Sequence, residues 1–246
     1  MYRIGIDVGS TYTKYCVEDT ESRIQKLWAE ETPVRQKEYF GAKVESLLLE
    51  YPDARIVSCG YGKENVQAVK NINELTALAY GCRFLGNGRQ NTVLDIGGQD
   101  TKLILHQDGK LKEFFVNEKC AAGCGIFLAN TLHLLKMCFR DIDLRGAKQP
   151  HVRLSSVCAV FAQSEIVQLL AQGCEPEELI RAVVWQILSQ AKVMLTKIDC
   201  GQVMLSGGIA QIPGILEYAG KVFGIKTDIP EHAAFLAAIG CAGYCN

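Results

Sequence analysis

Asp7-Val8-Gly9-Ser10-Thr11-Tyr12-Thr13-Lys14 ends a run in which Ile4, Ile6 and Val8 alternate with other residues, the period of a strand that breaks into a tight turn at Gly9-Ser10. Two further strand-like runs, Tyr12 to Glu18 and Arg23 to Glu30, make a three-stranded opening meander. After Pro33 the period changes: Phe40, Val44, Leu47 and Leu48 recur at helical spacing until Tyr51-Pro52. A short strand over Ala54 to Cys59 and a helix over Asn71 to Gly81 follow. The same order starts again about 90 residues later. Thr92 to Ile96 runs into Gly97-Gly98, Thr101 to Leu105 and Lys110 to Val116 read as strands, and helices are expected over Gly125 to Phe139, Val160 to Ala171 and Pro176 to Ile198. A strand over Gln202 to Leu205 and a helix over Phe235 to Tyr244 complete the pattern. This is an α/β chain with a duplicated architecture, and two similar lobes facing each other across a cleft are expected, residues 1–88 and 89–246, divided near Gly86 to Gln90.

Composition bounds the function. The 246 residues carry a net charge of -1, with no basic excess for nucleic acid or an anionic membrane. With 48% hydrophobic and 22% charged residues the chain is of ordinary globular type, with neither a membrane-length apolar run nor the apolar stretch of a signal peptide, so a cytoplasmic location is expected. Eleven cysteines stand out. Their odd number and irregular spacing argue against a disulfide framework, and no zinc-type CxxC pair occurs, so most are expected to be reduced thiols filling the core. His106, His133, His151 and His232 are scattered and carry no site expectation.

Three strand ends carry glycine: Asp7 to Lys14, Asp95-Ile96-Gly97-Gly98-Gln99-Asp100, and Ser206-Gly207-Gly208-Ile209. One such turn is no more than a hairpin signal, but three in this order describe a nucleotide site. Backbone N–H groups at Gly9, Gly97, Gly98, Gly207 and Gly208 close on phosphate, Ser10, Thr11 and Thr13 add hydroxyls, and Lys14 adds charge. Asp7 and Asp95 supply the oxygen ligands a hydrated magnesium needs, facing each other from the two lobes. Asp100 and Ile209 complete the candidate ATP/ADP contacts. No GxxxxGKS or GxxxxGKT motif is present, which excludes a P-loop. Over essentially the whole chain the pattern resembles the superfamily of sugar kinases, actin and heat-shock chaperone ATPases. That resemblance implies duplicated ribonuclease H-like lobes in which the three turns are the phosphate 1, phosphate 2 and adenosine motifs.

Many sugar kinases of that superfamily hold an acidic base near the cleft, whereas Gln99 follows Gly97-Gly98 here. A glutamine cannot take a proton at neutral pH but can orient water, so hydrolysis fits better than transfer to an acceptor, with Gln99 and Asp7 as the catalytic pair. Gln99 could instead merely hydrogen-bond within the turn. No segment is long enough for an inserted sugar-binding subdomain.

Val116-Asn117-Glu118-Lys119-Cys120-Ala121-Ala122-Gly123-Cys124-Gly125 and Leu154-Ser155-Ser156-Val157-Cys158-Ala159-Val160-Phe161 each place a cysteine in a small-residue loop before a helix. Helix starts favour thiolates and the anionic clusters they bind. Two cysteines cannot complete a four-thiolate set, but a two-fold dimer supplies four. These segments resemble the ATP-dependent activators of 2-hydroxyacyl-CoA dehydratases, a family related to the ATPase subunits of benzoyl-CoA reductase. The resemblance implies Cys120 and Cys158 as ligands of one 4Fe-4S cluster bridging a homodimer. It further implies an ATP-dependent one-electron reductase with a ferredoxin or flavodoxin donor, and a 2-hydroxyacyl-CoA dehydratase or related double-cubane cluster protein as acceptor, in an anaerobic setting. Cys124 departs from the family, which commonly has threonine there, and is either a neutral small residue or an added or substitute ligand. A benzoyl-CoA reductase-like ATPase subunit, a small-molecule kinase and a non-enzymatic redox or regulatory ATP-binding module are the alternatives.

Overall fold

The computed structural model describes residues 1–83, 90–117, 120–156 and 158–244. The expected lobe boundary near Gly86 to Gln90 falls largely outside the described residues, as does Cys245. Chain order runs β1 (Arg3–Val8), β2 (Tyr12–Glu18), β3 (Ile24–Glu31), α1 (Gln36–Glu50), β4 (Arg55–Gly60), β5 (Lys70–Asn71), α2 (Glu74–Gly81), β6 (Gln90–Ile96), β7 (Thr101–Gln107) and β8 (Lys110–Asn117). It continues through α3 (Gly125–Leu135), α4 (Ala159–Ala171), α5 (Pro176–Leu195), β9 (Gln202–Gly207), α6 (Ile215–Phe223), β10 (Lys226–Asp228) and α7 (Leu236–Gly243). One sheet has the order β3-β2-β1-β4-β5 and the other, read from its far edge, β8-β7-β6-β9-β10. The two orders are the same: a meander of three, then two strands added beyond the first. In the first sheet β1 pairs antiparallel with β2 and parallel with β4. In the second, β9 lies parallel to both β6 and β10.

The chain divides into two compact units. Residues 1–91, 104–114 and 235–246 form one. In its core Ile4, Ile6, Val8, Tyr15 and Val17 of the sheet meet Phe40, Val44 and Leu47 of α1, while Val57, Cys59, Ile72 and Ala77 pack with Cys241 of α7. Every residue of β1 is buried, because helices cover both faces of the strand. Helices α2 and α7 approach to backbone contact: a Cβ on Gly81 would overlap the Leu236 carbonyl, and one on Gly240 the Ala77 carbonyl. The other unit, residues 92–103 and 115–234, is built on α5, which buries Leu179, Ile180, Val183, Val184, Ile187 and Leu188 along one stripe. Pro176 occupies its first turn with Glu177 and Glu178, and Lys192 lies in its last, matching the helix dipole.

Element boundaries differ from the sequence expectation where a local device intervenes. Asn73 accepts from Leu75 N (2.8 Å) and starts α2 at Glu74, three residues late, while Lys70–Asn71 pairs with β4. Lys136 turns left-handed (φ 55°) and ends α3 at Leu135. α6 and β10 were not expected. The spacing of Ile215, Tyr218, Ala219, Val222 and Phe223, all buried, carries the helix signal. Among the described residues no helix is long and apolar enough to cross a membrane.

Candidate functional site

All three glycine turns leave the carboxyl end of a strand that has a parallel neighbour, the place where α/β sheets bind ligands. Asp7 and Val8 pair with Cys59 and Gly60 across β1 and β4, and Asp95 and Ile96 pair with Ser206 and Gly207 across β6 and β9. The duplicated topology thus brings one turn to its strand end in the first unit and two to adjoining strand ends in the second.

In the first unit Asp7 is buried, with Lys14 Nζ 3.6 Å from its Oδ2 and the Cys59 thiol donating to Oδ1 at 3.6 Å. Ser10 and Thr11 are exposed at the tip, open to a ligand. Thr13 is fully buried, its hydroxyl 3.0 Å from that of Thr32. Thr32 in turn donates to Gly9 O at 2.7 Å and its N–H donates to Thr11 O at 2.9 Å. Thr13 therefore supports the turn from behind, and Thr32, far away in sequence and without a local signal, fixes its shape.

In the second unit Gly97 N donates to Asp100 O at 2.9 Å, closing the turn. Gln99 is exposed at its tip, whereas Asp100 is buried. Lys102, itself buried, places Nζ 2.6 Å from Asp100 Oδ1 and 4.0 Å from Asp95 Oδ2. The signal for Lys102 in the sequence is its i, i+2 spacing from Asp100, which puts the two on one face of an extended chain. Ser206 Oγ lies 2.8 Å from both Asp95 Oδ1 and Ala233 O, a hydroxyl whose one proton serves either acceptor. Gly207 has φ +88°, and Ile209 is buried beneath the short turn Gly208–Gln211.

The cysteine loops lie in this same unit. Cys120 is half-buried just before the short turn Ala121–Gly123, and Cys158 is exposed immediately before α4, with Val160 and Phe161 beside it 70% and 69% exposed. Both loops are anchored on one face of α5, one helical turn apart. Gln186 Nε2 donates to Ser156 O at 2.8 Å, and a side chain on Gly123 would stand 3.4 Å from Gln190 Cβ. Glu165 of α4 clamps the second loop, accepting from Ser155 N (2.8 Å), Ser155 Oγ (3.0 Å) and Ser156 N (3.1 Å). Burial works to raise the Glu165 carboxyl, but these donors prevail and hold it below the usual carboxylate range.

Cys124 differs from both. It is fully buried, its thiol donates to Ala121 O at 3.2 Å, and burial pushes it above the ordinary thiol range. All ten described cysteines are free, and among the described residues no three His, Cys, Asp or Glu side chains converge on a metal position. Five described cysteines reach the surface, Cys138 and Cys158 exposed and Cys120, Cys174 and Cys200 half-buried; of these Cys120 and Cys158 stand in the two loops tied to α5, and two soft thiols fit half of a four-thiolate cluster. His106 is also fully buried, and among the described residues neither ring nitrogen has a hydrogen-bond partner.

The chain is 31% identical to the (R)-2-hydroxyglutaryl-CoA dehydratase activating ATPase of Acidaminococcus fermentans, covering 99% of this chain and 96% of that protein. It superposes with TM-score 0.88 and 27% identity on the activator of the 2-hydroxyisocaproyl-CoA dehydratase from Clostridium difficile with bound ADPNP, covering 99% and 94% of the two chains. A glucokinase of the ROK family from Streptomyces griseus shares the fold alone, at TM-score 0.59 and 14% identity over 99% of each chain. This likeness and the repeated sheet order show a fold of duplicated ribonuclease H-like lobes, the fold that solved sugar kinases and actin-like proteins also have. Residues 4–244 match the BadF/BadG/BcrA/BcrD ATPase family, and the chain belongs to it.

Proposed function

We propose that this protein is an ATP-hydrolysing activator that delivers single electrons to a 2-hydroxyacyl-CoA dehydratase or a related double-cubane cluster protein. The observation that carries the reading is the pairing of two accessible cysteines, in loops tied to one face of α5, with phosphate-type turns in the same unit of an ATPase-family chain. Relatives over nearly the whole length are activators by name, which supports the acceptor class.

The turns at Gly9, Gly97 and Gly207 take the nucleotide through backbone N–H groups, and Asp7 and Asp95 are the oxygen donors for its magnesium. Lys102 balances the charge of buried Asp100 and of half-buried Asp95, which leaves the Asp95 carboxylate open toward the nucleotide's magnesium. Exposed Gln99 orients the attacking water; it has no acid–base capacity to activate a sugar hydroxyl. Cys120 and Cys158 would hold a 4Fe-4S cluster with the same two residues of a second copy, and that group, when bound, supplies one-electron storage. The exposed apolar pair Val160 and Phe161 beside Cys158 favours burial against that second copy.

The test is anaerobic ATP turnover with a ferredoxin-type or chemical one-electron donor and a purified 2-hydroxyacyl-CoA dehydratase. Hydrolysis that rises with the dehydratase and is accompanied by its reduction is expected. ATP consumption that instead phosphorylates a metabolite, indifferent to donor and dehydratase, would replace this reading with a kinase.

A further inference from the structure

We propose that the peptide groups Gly97–Gly98 and Gly98–Gln99 transmit nucleotide binding to the Cys120 loop, with Thr101 and Gly125 as the positioning residues of that link. It rests on the nucleotide reading of the Gly97-Gly98 turn.

The first N–H groups of a helix have no partner within the helix and must find one outside it. At α3 no side chain serves: Cys124, the residue before it, makes no capping bond. The carbonyls of the glycine turn take that place, Gly97 O accepting from Gly125 N at 2.8 Å and Gly98 O from Ile126 N at 2.7 Å. No cis peptide occurs among the described residues. In a trans peptide group the C=O and the following N–H point in opposite directions. The N–H groups of Gly98 and Gln99 therefore point away from α3, on the side where phosphate is expected. A phosphate oxygen accepting from them polarises the same two peptide groups and makes their carbonyls stronger acceptors for Gly125 and Ile126.

A second connection runs beside the first. Thr101, fully buried just past the turn, donates from Oγ1 to Gly123 O at 2.6 Å, and Gly123 N donates to Cys120 O at 3.2 Å. Cys120 is thus two hydrogen bonds from the strand that leaves the nucleotide turn. No flexible side chain intervenes to absorb a shift, since Thr101 is β-branched and the remaining links are backbone. Gly125 has to be glycine for the contact to be this close: a Cβ there would stand 3.0 Å from Gly97 O and 3.4 Å from Gly98 Cα. A turn and loop pinned for stability alone would have no need for the cap to come from the turn's own peptide groups.

The test uses the intact protein with magnesium and a non-hydrolysable ATP analogue, reading affinity by calorimetry and amide hydrogen exchange over Cys120–Leu128. In the parent, the analogue should slow exchange at Gly125 and Ile126 by roughly three- to tenfold, the scale of one strengthened hydrogen bond. Thr101→Val should bind the analogue within about twofold of the parent, as a site away from the ligand does, while losing most of the protection over Cys120–Gly123. Thr101→Ser, which keeps the donor, should restore it. Gly125→Ala should weaken protection at Gly125 and Ile126. An analogue that binds the parent but leaves exchange over Cys120–Leu128 unchanged overturns the link and spares the nucleotide reading; so does a Thr101→Val protein that responds like the parent. A parent that binds no analogue overturns both.

Discussion

On the proposed reading, Asp7 and Gln99 act on the nucleotide, while Thr32 and Lys102 shape the turns that carry them. Asp7→Asn removes a buried carboxylate charge beside Lys14, and Lys14→Ala removes its partner at 3.6 Å; both should weaken magnesium–nucleotide binding in calorimetry, by about tenfold or more for a charge-assisted contact worth about 1.5–3 kcal/mol. Gln99→Ala should instead lower the hydrolysis rate with affinity nearly unchanged, because the role proposed for this exposed side chain is to orient water; equal rates in parent and variant would remove Gln99 from the mechanism. Lys102→Met removes the cation 2.6 Å from the buried carboxylate of Asp100 and 4.0 Å from half-buried Asp95, so a loss of roughly 3–5 kcal/mol is expected from urea unfolding. A Lys102→Met protein of parental stability would show that water, and no ion pair, solvates the two carboxylates.

At the scale of elements, the close crossing of α2 and α7 and the buried His106 on β7 make separate tests. Gly240→Val forces a side chain into the Ala77 carbonyl and should cost at least the roughly 1–3 kcal/mol of ordinary overpacking, because the obstacle is backbone. His106 is held neutral by burial, against a smaller opposing pull from Asp108, so its folded pKa lies below the ordinary value. The unfolded chain binds the proton first, near pH 6.5, so stability is complete above that pH and falls as pH drops toward the folded pKa. His106→Phe should remove the His106 part of the stability slope between about pH 5.5 and 7.5, leaving the part that belongs to buried Glu18, whose carboxyl burial raises; a slope unchanged by the substitution would place the titration elsewhere. The sequence made much of this level legible. Alternation in β1 and β2 and the glycines that end β1, β6 and β9 are local signals, and so are the small-residue loops around Cys120 and Cys158. Thr32, Glu165 and the turn-to-helix cap at Gly125 were not legible, because each acts on a partner 9 or more residues away that only the fold brings near. The burial of Cys124, which separates it from Cys120, is likewise a product of packing.

For the whole molecule, the repeated sheet order gives two units with equivalent strand ends, and the second unit carries the thiols as well as two of the turns. On the proposed ligation, Cys120 and Cys158 give two thiolates per chain, and a second copy supplies the other two. The decisive measurement is iron content together with molecular mass of anaerobically purified protein, on the parent and on Cys120→Ala, Cys158→Ala and Cys124→Thr. About four irons per dimer are expected in the parent by the four-thiolate rule, near-complete loss in Cys120→Ala and in Cys158→Ala, and retention in Cys124→Thr. A monomeric parent with its own full complement of iron, or a Cys120→Ala protein that stays loaded while Cys124→Thr is colourless, would contradict a cluster shared between Cys120 and Cys158 of two chains.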